Sequence, residues 1–299
     1  MIGLKSNKIG DVYQWFKTSL QLIIDQKERK AIADEVFLRF FNSKPDMRIA
    51  YPDTRITESD IVRLKKAFLR LNRGEPVQYV TGVSEFLGKT INVKPGVLIP
   101  RPETEELVLW VSEHLKTKMP GLSHPKVYDI GTGSGCIIIA LASMHSEGTF
   151  FASDNDKYIV EVAEHNALYN KVNIFFFIDD VFSCEGTFFR ENDLDVVVSN
   201  PPYVRESEKQ LMARNVLDHE PAAALFVPDS DPLRYYRAIA SKAFGWLCPG
   251  GGLFFEINEA MGEACAELLH NLGFTDITIK KDIHGKDRFI KGSKPLALL

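Results

Sequence analysis

At 299 residues, 45% hydrophobic and 25% charged, the chain has enough apolar material for two domains with cores of their own, and nothing in its balance points to disorder. The formal net charge of −4 and pI near 6.0 count against a surface built to neutralise many phosphates, so direct nucleic-acid binding is not expected. Cys136, Cys184, Cys248 and Cys265 form no Cys-x-x-Cys pair and have no His at metal-ligand spacing, which predicts reduced thiols and no metal site.

The opening Met1-Ile2-Gly3-Leu4-Lys5 begins no apolar leader, and no window reaches ~18 uninterrupted apolar residues, so a cytoplasmic protein without a membrane segment is expected. Residues 1–76 read as helices by apolar spacing of three and four. Tyr13, Phe16, Leu20 and Ile23 make one stripe; Ile32, Val36, Phe37 and Phe40 make a second. Asn42-Ser43-Lys44-Pro45 interrupts the pattern, and Thr57 with Asp60 resembles a capping box before Ile61, Leu64, Phe68 and Leu71. This stretch predicts a small helical domain.

From Val77 the period changes. Residues 77–100 read as a connector, in which Phe86 to Ile99 alternates like a β-hairpin punctuated by Pro95-Gly96. Over residues 101–299, strands are expected at Val127–Ile130, Thr149–Ser153, Asn173–Ile178, Leu194–Ser199, Leu253–Ile257, Ile277–Ile283 and Arg288–Lys291. Helices are expected between the first five, with Glu105–Leu115 ahead of the first and Lys157–Leu168 after the second. That alternation specifies an α/β fold with a doubly wound, mostly parallel sheet covered on both faces. Ligands of such sheets bind outside the carboxyl ends of the strands, near the point where strand order reverses.

Asp129 closes the first of these strands, and Gly131-Thr132-Gly133-Ser134-Gly135 follows before a helical run from Cys136. The glycines let backbone approach a ligand closely, and a helix amino terminus offers N–H groups to an anion. A dinucleotide fingerprint would place its third glycine where Cys136 stands. The spacing favours S-adenosylmethionine, whose carboxylate is a smaller anion than a pyrophosphate and whose sulfonium an acidic residue would tolerate. A tight strand-to-helix turn is the alternative for the loop taken alone. Asp154, about 20 residues past the loop, is placed to accept ribose hydroxyls; Asn155 is grouped with it, and Asp156 could be a helix cap instead. Asp180 is placed for an adenine amino group, with Val181 or Phe182 against the ring, while Phe175-Phe176-Phe177 reads as core.

Asn200-Pro201-Pro202-Tyr203 ends the apolar run Leu194 to Ser199. Methyl transfer from a sulfonium is an in-line displacement, and an amide or exocyclic nitrogen is a poor nucleophile until its N–H bonds are held. The Asn200 side-chain oxygen and the Pro201 main-chain oxygen can each accept one such N–H. The prolines stiffen the loop. Tyr203 offers an aromatic face to a planar acceptor. The pattern points to methyl transfer to nitrogen.

The chain resembles the bacterial glutamine N5-methyltransferases of peptide chain release factors, the HemK or PrmC family. The resemblance is carried by Arg73 to Gly82, Glu85 to Gly88, Leu98 to Glu105, Asp129 to Gly135, Asn200 to Tyr203, Glu220-Pro221 and Lys281 to Arg288. It implies a helical domain that contacts the release factor, a hairpin, and a seven-stranded class I S-adenosylmethionine-dependent methyltransferase domain. The acceptor it implies is the glutamine of a Gly-Gly-Gln tip. Asn200, Pro201 and Tyr203 would be catalytic, Asn200 also bordering the cofactor, with Pro202, Arg101 and Glu103 also lining the substrate site. Arg101 reads either as a substrate-facing cation or as half of a structural pair with Glu103 or Glu105.

A sister family that methylates a ribosomal-protein glutamine usually carries Val-Pro-Arg-Ser-Pro where this chain has Ile99-Pro100-Arg101-Pro102-Glu103, which favours the release factor. A DNA adenine or cytosine amino-methyltransferase would need base flipping and a cationic groove. A non-enzymatic S-adenosylmethionine-binding module is the remaining alternative. Glu256-Ile257-Asn258-Glu259 with Met261, and Phe226 to Pro232, depart from the family pattern and are expected to affect only the loop wall, not the catalytic contacts.

Overall fold

The stripe of Tyr13, Phe16 and Leu20 obliges the first helix to bury one face. In the computed structural model, which describes residue 4 and residues 6–20, 25–117, 123–183 and 189–297, that face lies on α1 (Ile9–Ser19) and runs into Leu20. Ile23 and Cys184 lie outside the described residues. α2 (Gln26–Phe41) ends at Asn42 in the left-handed region (φ 49°), and Pro45 starts α3 (Pro45–Ala50), so the interruption read from sequence is a cap followed by a helix-initiating proline. Both hydrogen bonds of the Thr57–Asp60 capping box are present at the start of α4 (Glu58–Leu71). Phe16, Val36, Phe37 and Leu64 are fully buried together. Arg48 is buried too, bonded to Asp34 and to the Ser43 carbonyl and lying over the Tyr13 ring at 4.3 Å. Val77–Thr81, expected within the connector, forms a short helix α5 that Gly82 closes at φ 83°. Residues 1–83 with 213–220 form one compact unit, and residues 84–212 with 221–299 form the other.

The hairpin is present, but its turn is not Pro95-Gly96. β1 (Val83–Phe86) and β2 (Lys89–Asn92) are joined by Leu87-Gly88, both at positive φ (45° and 71°), the backbone of a type I′ turn. Leucine is rare in that conformation, which is why the turn escaped the sequence pattern. Its strain is offset by a bond from the Leu87 N–H to Glu105 Oε1 at 2.9 Å.

The larger unit continues through α6 (Pro102–Thr117), β3 (Lys126–Ile130), α7 (Cys136–Met144), β4 (Thr149–Asp154), α8 (Lys157–Tyr169), β5 (Phe175–Ile178) and β6 (Leu194–Ser199). After the loop come β7 (Val204–Arg205), a 3-10 helix (Glu206–Leu211), α9 (Arg214–His219), which belongs to the helical unit, α10 (Ala222–Leu225) and β8 (Phe226–Val227). α11 (Arg234–Trp246), β9 (Leu247–Glu256), α12 (Gly262–Asn271), β10 (Thr275–Lys281) and β11 (Asp287–Ser293) complete it. The seven-stranded sheet runs β10-β11-β9-β6-β3-β4-β5, with β9, β6, β3, β4 and β5 parallel and β11 antiparallel to both neighbours. Val196, Val197 and Val198 of β6 are fully buried, as a central strand covered on both faces requires.

Three expectations fail. Among the described residues between β5 and β6 there is no helix. β9 begins at Leu247 rather than Leu253, because a register irregularity opposite Leu194 and Val196 lets Cys248-Pro249-Gly250-Gly251 stay within the strand despite its turn-like composition. Phe175, expected in the core, is half exposed on the edge strand, while Phe177 packs inward.

Candidate active site

The chain leaves β3 for β4 and β5 on one side of the sheet and returns to β6 and β9 on the other, so strand order reverses between β3 and β6. Both conspicuous loops start there. Asp129 pairs with Val198 across the two strands, and Ser199 Oγ donates to the Ile130 carbonyl at 2.6 Å, which ties the two carboxyl ends together.

Asp129 is fully buried. Thr132 Oγ1 donates to its Oδ2 at 2.7 Å, but Oδ1 has no hydrogen-bond partner among the described residues. Burial pushes this carboxyl up to about 7, and the nearby Asp154 charge adds to the shift. The loop is pinned from β4 by Thr132 N–H to the Ser153 carbonyl (2.9 Å) and by Gly133 N–H to Asp154 Oδ2 (3.0 Å). Gly131 and Gly133 stand at positive φ (70° and 55°), and a Cβ on either would meet nothing within 4 Å. A Cβ on Gly135 would instead meet Ile139 Cδ1 at 3.1 Å and Ala163 Cβ at 3.2 Å. The first two glycines border open space at the α7 amino terminus, and the third lets α7 and α8 pack. Gly135→Ala is therefore expected to lower unfolding free energy by about 1–3 kcal/mol through strain and overpacking. Gly133→Ala should cost only about 1 kcal/mol for its backbone, yet weaken cofactor binding; urea titration beside calorimetric binding separates the two.

Asp154, partly buried at the end of β4, has its carboxyl raised by burial, with Oδ2 already engaged by the loop. Asn155 is exposed, and Asp156 caps α8 by accepting from Tyr158 N–H. Asp180, exposed past β5, accepts from Phe182 N–H at 2.9 Å. Val181 packs against the core, and the Phe182 ring is flanked by Tyr235 at 4.9 Å and the Arg234 guanidinium at 4.4 Å.

Asn200 ends β6 partly buried, followed by the buried Pro201. Asn200 Nδ2 donates to Thr104 Oγ1 at 3.2 Å, and Thr104 Oγ1 donates to Glu256 Oε2 at 2.7 Å. The Tyr203 hydroxyl donates to the other oxygen of the same carboxylate at 3.0 Å. Glu256 is only 1% exposed; burial raises its pKa, opposed by the Thr104 and Tyr203 bonds and the Arg288 charge. Burial also holds the Tyr203 phenol well above its ordinary range, so it stays neutral. Arg101 and Glu103 lie within electrostatic reach, Arg101 acting on Tyr203 and Glu103 on Glu256. Among the described residues, neither Asn200 Oδ1 nor the Pro201 carbonyl accepts a hydrogen bond.

Thr104 and Glu256 were not singled out in the sequence. Glu256 carries the signal that selected Asp129, a carboxylate closing an apolar strand. One expectation is corrected: Asn258, a departure from the family pattern, does reach the acceptor loop, since its Nδ2 donates to the Tyr203 carbonyl (3.1 Å) and to Glu208 Oε2 (2.8 Å). A cavity of about 710 Å³ beside Lys89, Phe150, Asn170 and Phe175 lies at the amino ends of β4 and β5, away from both loops, and has no part in this chemistry.

The methyltransferase small domain family matches residues 109–226. A methyltransferase structure from Pyrococcus furiosus superposes with a TM-score of 0.50 at 17% identity, covering 80% of this chain and 100% of its own, which establishes the fold. The release factor glutamine methyltransferase of Flavobacterium psychrophilum is 38% identical over 276 residues, covering 92% of this chain and 95% of its own length. The chain belongs to the release factor glutamine methyltransferase family. That of Bacteroides thetaiotaomicron is 43% identical over 232 residues, covering 77% of this chain and 80% of its own. Family and fold together make this chain an S-adenosylmethionine-dependent methyltransferase with a class I sheet. No helix among the described residues is long and apolar enough to cross a membrane.

Proposed function

We propose that the chain methylates the side-chain amide nitrogen, N5, of the glutamine in the Gly-Gly-Gln tip of class I peptide chain release factors, in the cytoplasm. One observation carries the reading. At the switch point, the Asn200 carboxamide is held by its NH2, and among the described residues neither its Oδ1 nor the Pro201 carbonyl accepts a hydrogen bond, which leaves two acceptors, the number a primary amide can satisfy.

The cofactor site fits its ligand: among the described residues a buried carboxylate oxygen of Asp129 has no hydrogen-bond partner, and the loop at Gly131 and Gly133 borders space a side chain would fill. Asp129, Gly131, Thr132 and Gly133 would hold the amino-acid portion, with Gly135 setting the α7 amino terminus close behind them; Asp154 and Asn155 would hold the ribose, and Asp180, Val181 and Phe182 the adenine. Bound S-adenosylmethionine supplies an electrophilic methyl carbon on a sulfonium. Asn200 Oδ1 and the Pro201 carbonyl hold the two amide N–H bonds and let the nitrogen lone pair turn out of conjugation. Tyr203 packs on the amide plane, with Pro202, Arg101 and Glu103 around it. The methylated nitrogen is acidic enough to release its proton to water, so no strong base is required. The helical unit is assigned to recognition of the release factor.

Incubation of the full chain with labelled S-adenosylmethionine and purified release factor, followed by mass spectrometry, tests the assignment. The methyl is expected on the Gly-Gly-Gln glutamine. A product on Arg or Lys, or methylation of duplex DNA with none on the release factor, would overturn it.

A further inference from the structure

We infer that Glu256, acting through Thr104, is a positioning residue that sets which way the Asn200 carboxamide faces. This rests on the acceptor role proposed for Asn200. An ionised carboxylate can only accept, and the Thr104 and Tyr203 bonds and the Arg288 charge favour that form of Glu256, which accepts from Thr104 Oγ1 at 2.7 Å and from the Tyr203 hydroxyl at 3.0 Å. A threonine hydroxyl has one proton, and here Glu256 takes it. Thr104 Oγ1 then offers Asn200 only lone pairs, so the Asn200 group at 3.2 Å is the NH2 and Oδ1 points away. The inverted carboxamide would present donors to an acceptor amide that itself brings donors.

The same carboxylate anchors the Tyr203 ring, so one buried charge fixes both side chains of the acceptor loop. Thr104 comes from the first turn of α6 and Glu256 from the end of β9, and both are almost fully buried. The Tyr236 hydroxyl, also buried, donates to the Glu256 main-chain carbonyl at 3.3 Å and steadies the strand end. Two buried residues, Thr104 and Glu256, thereby acquire a defined task.

The test uses the full chain carrying Thr104→Val, Thr104→Ser, Glu256→Gln and Thr104→Val with Asn200→Ala. Kinetics on release factor, cofactor dissociation constants and unfolding midpoints are measured for each. Thr104→Val and Glu256→Gln are expected to lower kcat about tenfold, while KM and cofactor affinity move by less than about threefold. Thr104→Ser, which keeps the hydroxyl, should recover most of that loss. The double variant should be no slower than Asn200→Ala alone, because the relay acts only through Asn200. A parental kcat in Thr104→Val, equal losses in the serine and valine variants, or a multiplied loss in the double variant would overturn the inference.

A readout independent of turnover separates this idea from the choice of substrate. With 15N-labelled asparagine, the Asn200 side-chain NH2 protons should show nuclear Overhauser contacts to Thr104 and lose them in Glu256→Gln. Their absence in the parent chain disproves the relay whether or not release factor is methylated. Their presence in a chain that fails to methylate release factor would leave the relay standing and remove the substrate.

Discussion

Alanine at position 200 is expected to slow methyl transfer by roughly two to three orders of magnitude, the loss seen when one preorganised hydrogen-bonding group is removed from a transition state. Cofactor dissociation should change by less than about threefold, since the loss falls on a transition-state contact rather than on ground-state binding. The physical reason lies in the acceptor: an amide nitrogen lends its lone pair to the carbonyl, and only fixed acceptors on both N–H bonds favour the geometry in which it can attack. The Pro201 carbonyl would remain in Asn200→Ala, but one acceptor cannot hold two N–H bonds. Single-turnover transfer of labelled methyl, beside calorimetric titration with S-adenosylmethionine, reads the two quantities separately. An equal collapse of cofactor binding would show that Asn200 builds the cofactor pocket instead.

Asp129→Asn should move stability and binding in opposite directions. The folded carboxyl titrates at about 7 against an ordinary value of 3.8, so between those pH values the folded protein keeps a proton that the unfolded chain has lost. Stability from this group therefore falls as pH rises across that window and levels off above about 7. The cost at alkaline pH is on the order of 4 kcal/mol for three pKa units, and asparagine, which never ionises, should recover part of it as a higher unfolding midpoint at pH 8. The cofactor's cationic end favours the ionised carboxylate, so affinity of the parent chain should rise with pH up to about 7 and then flatten. Asp129→Asn should bind S-adenosylmethionine at least tenfold more weakly, roughly the worth of one charge-assisted contact, with that pH slope removed. Equal affinity at pH 6 and pH 8 in the parent would defeat this account. A residue whose removal stabilises the fold while weakening its ligand is one retained for function.

What sequence could show depended on how local the determinant was. Leu194–Ser199 emerged with its own bounds because a run of valines between polar residues specifies a buried central strand without outside information. The Thr57–Asp60 box and the glycine loop are equally local, each a short spacing with its own hydrogen bonds. The hairpin turn was missed because Leu87 occupies a glycine-like conformation that only its bond to Glu105, 18 positions away, makes tolerable. The start of β9 was missed because a register irregularity, a property of two strands, overrode the turn composition of Pro249-Gly250-Gly251. Thr104 and Glu256 stand 152 positions apart, and nothing in either neighbourhood announces that one hydroxyl proton joins them. The acceptor loop was legible in its own residues and family resemblance supplied its substrate; neither supplied the carboxylate behind that loop, nor the contact from Asn258.

The two unclaimed oxygens at Asn200 and Pro201 also count. A glutamine that has received one methyl has a single N–H left, so it can satisfy only one of the two acceptors and must press a carbon against the other. With the acceptor roles proposed for Asn200 and Pro201, the site that welcomes the substrate would expel the product and refuse it a second turn. Mass spectra after long incubation should show release factor with one added methyl and no dimethylated glutamine; a dimethyl product would mean that one of these oxygens does not grip the amide.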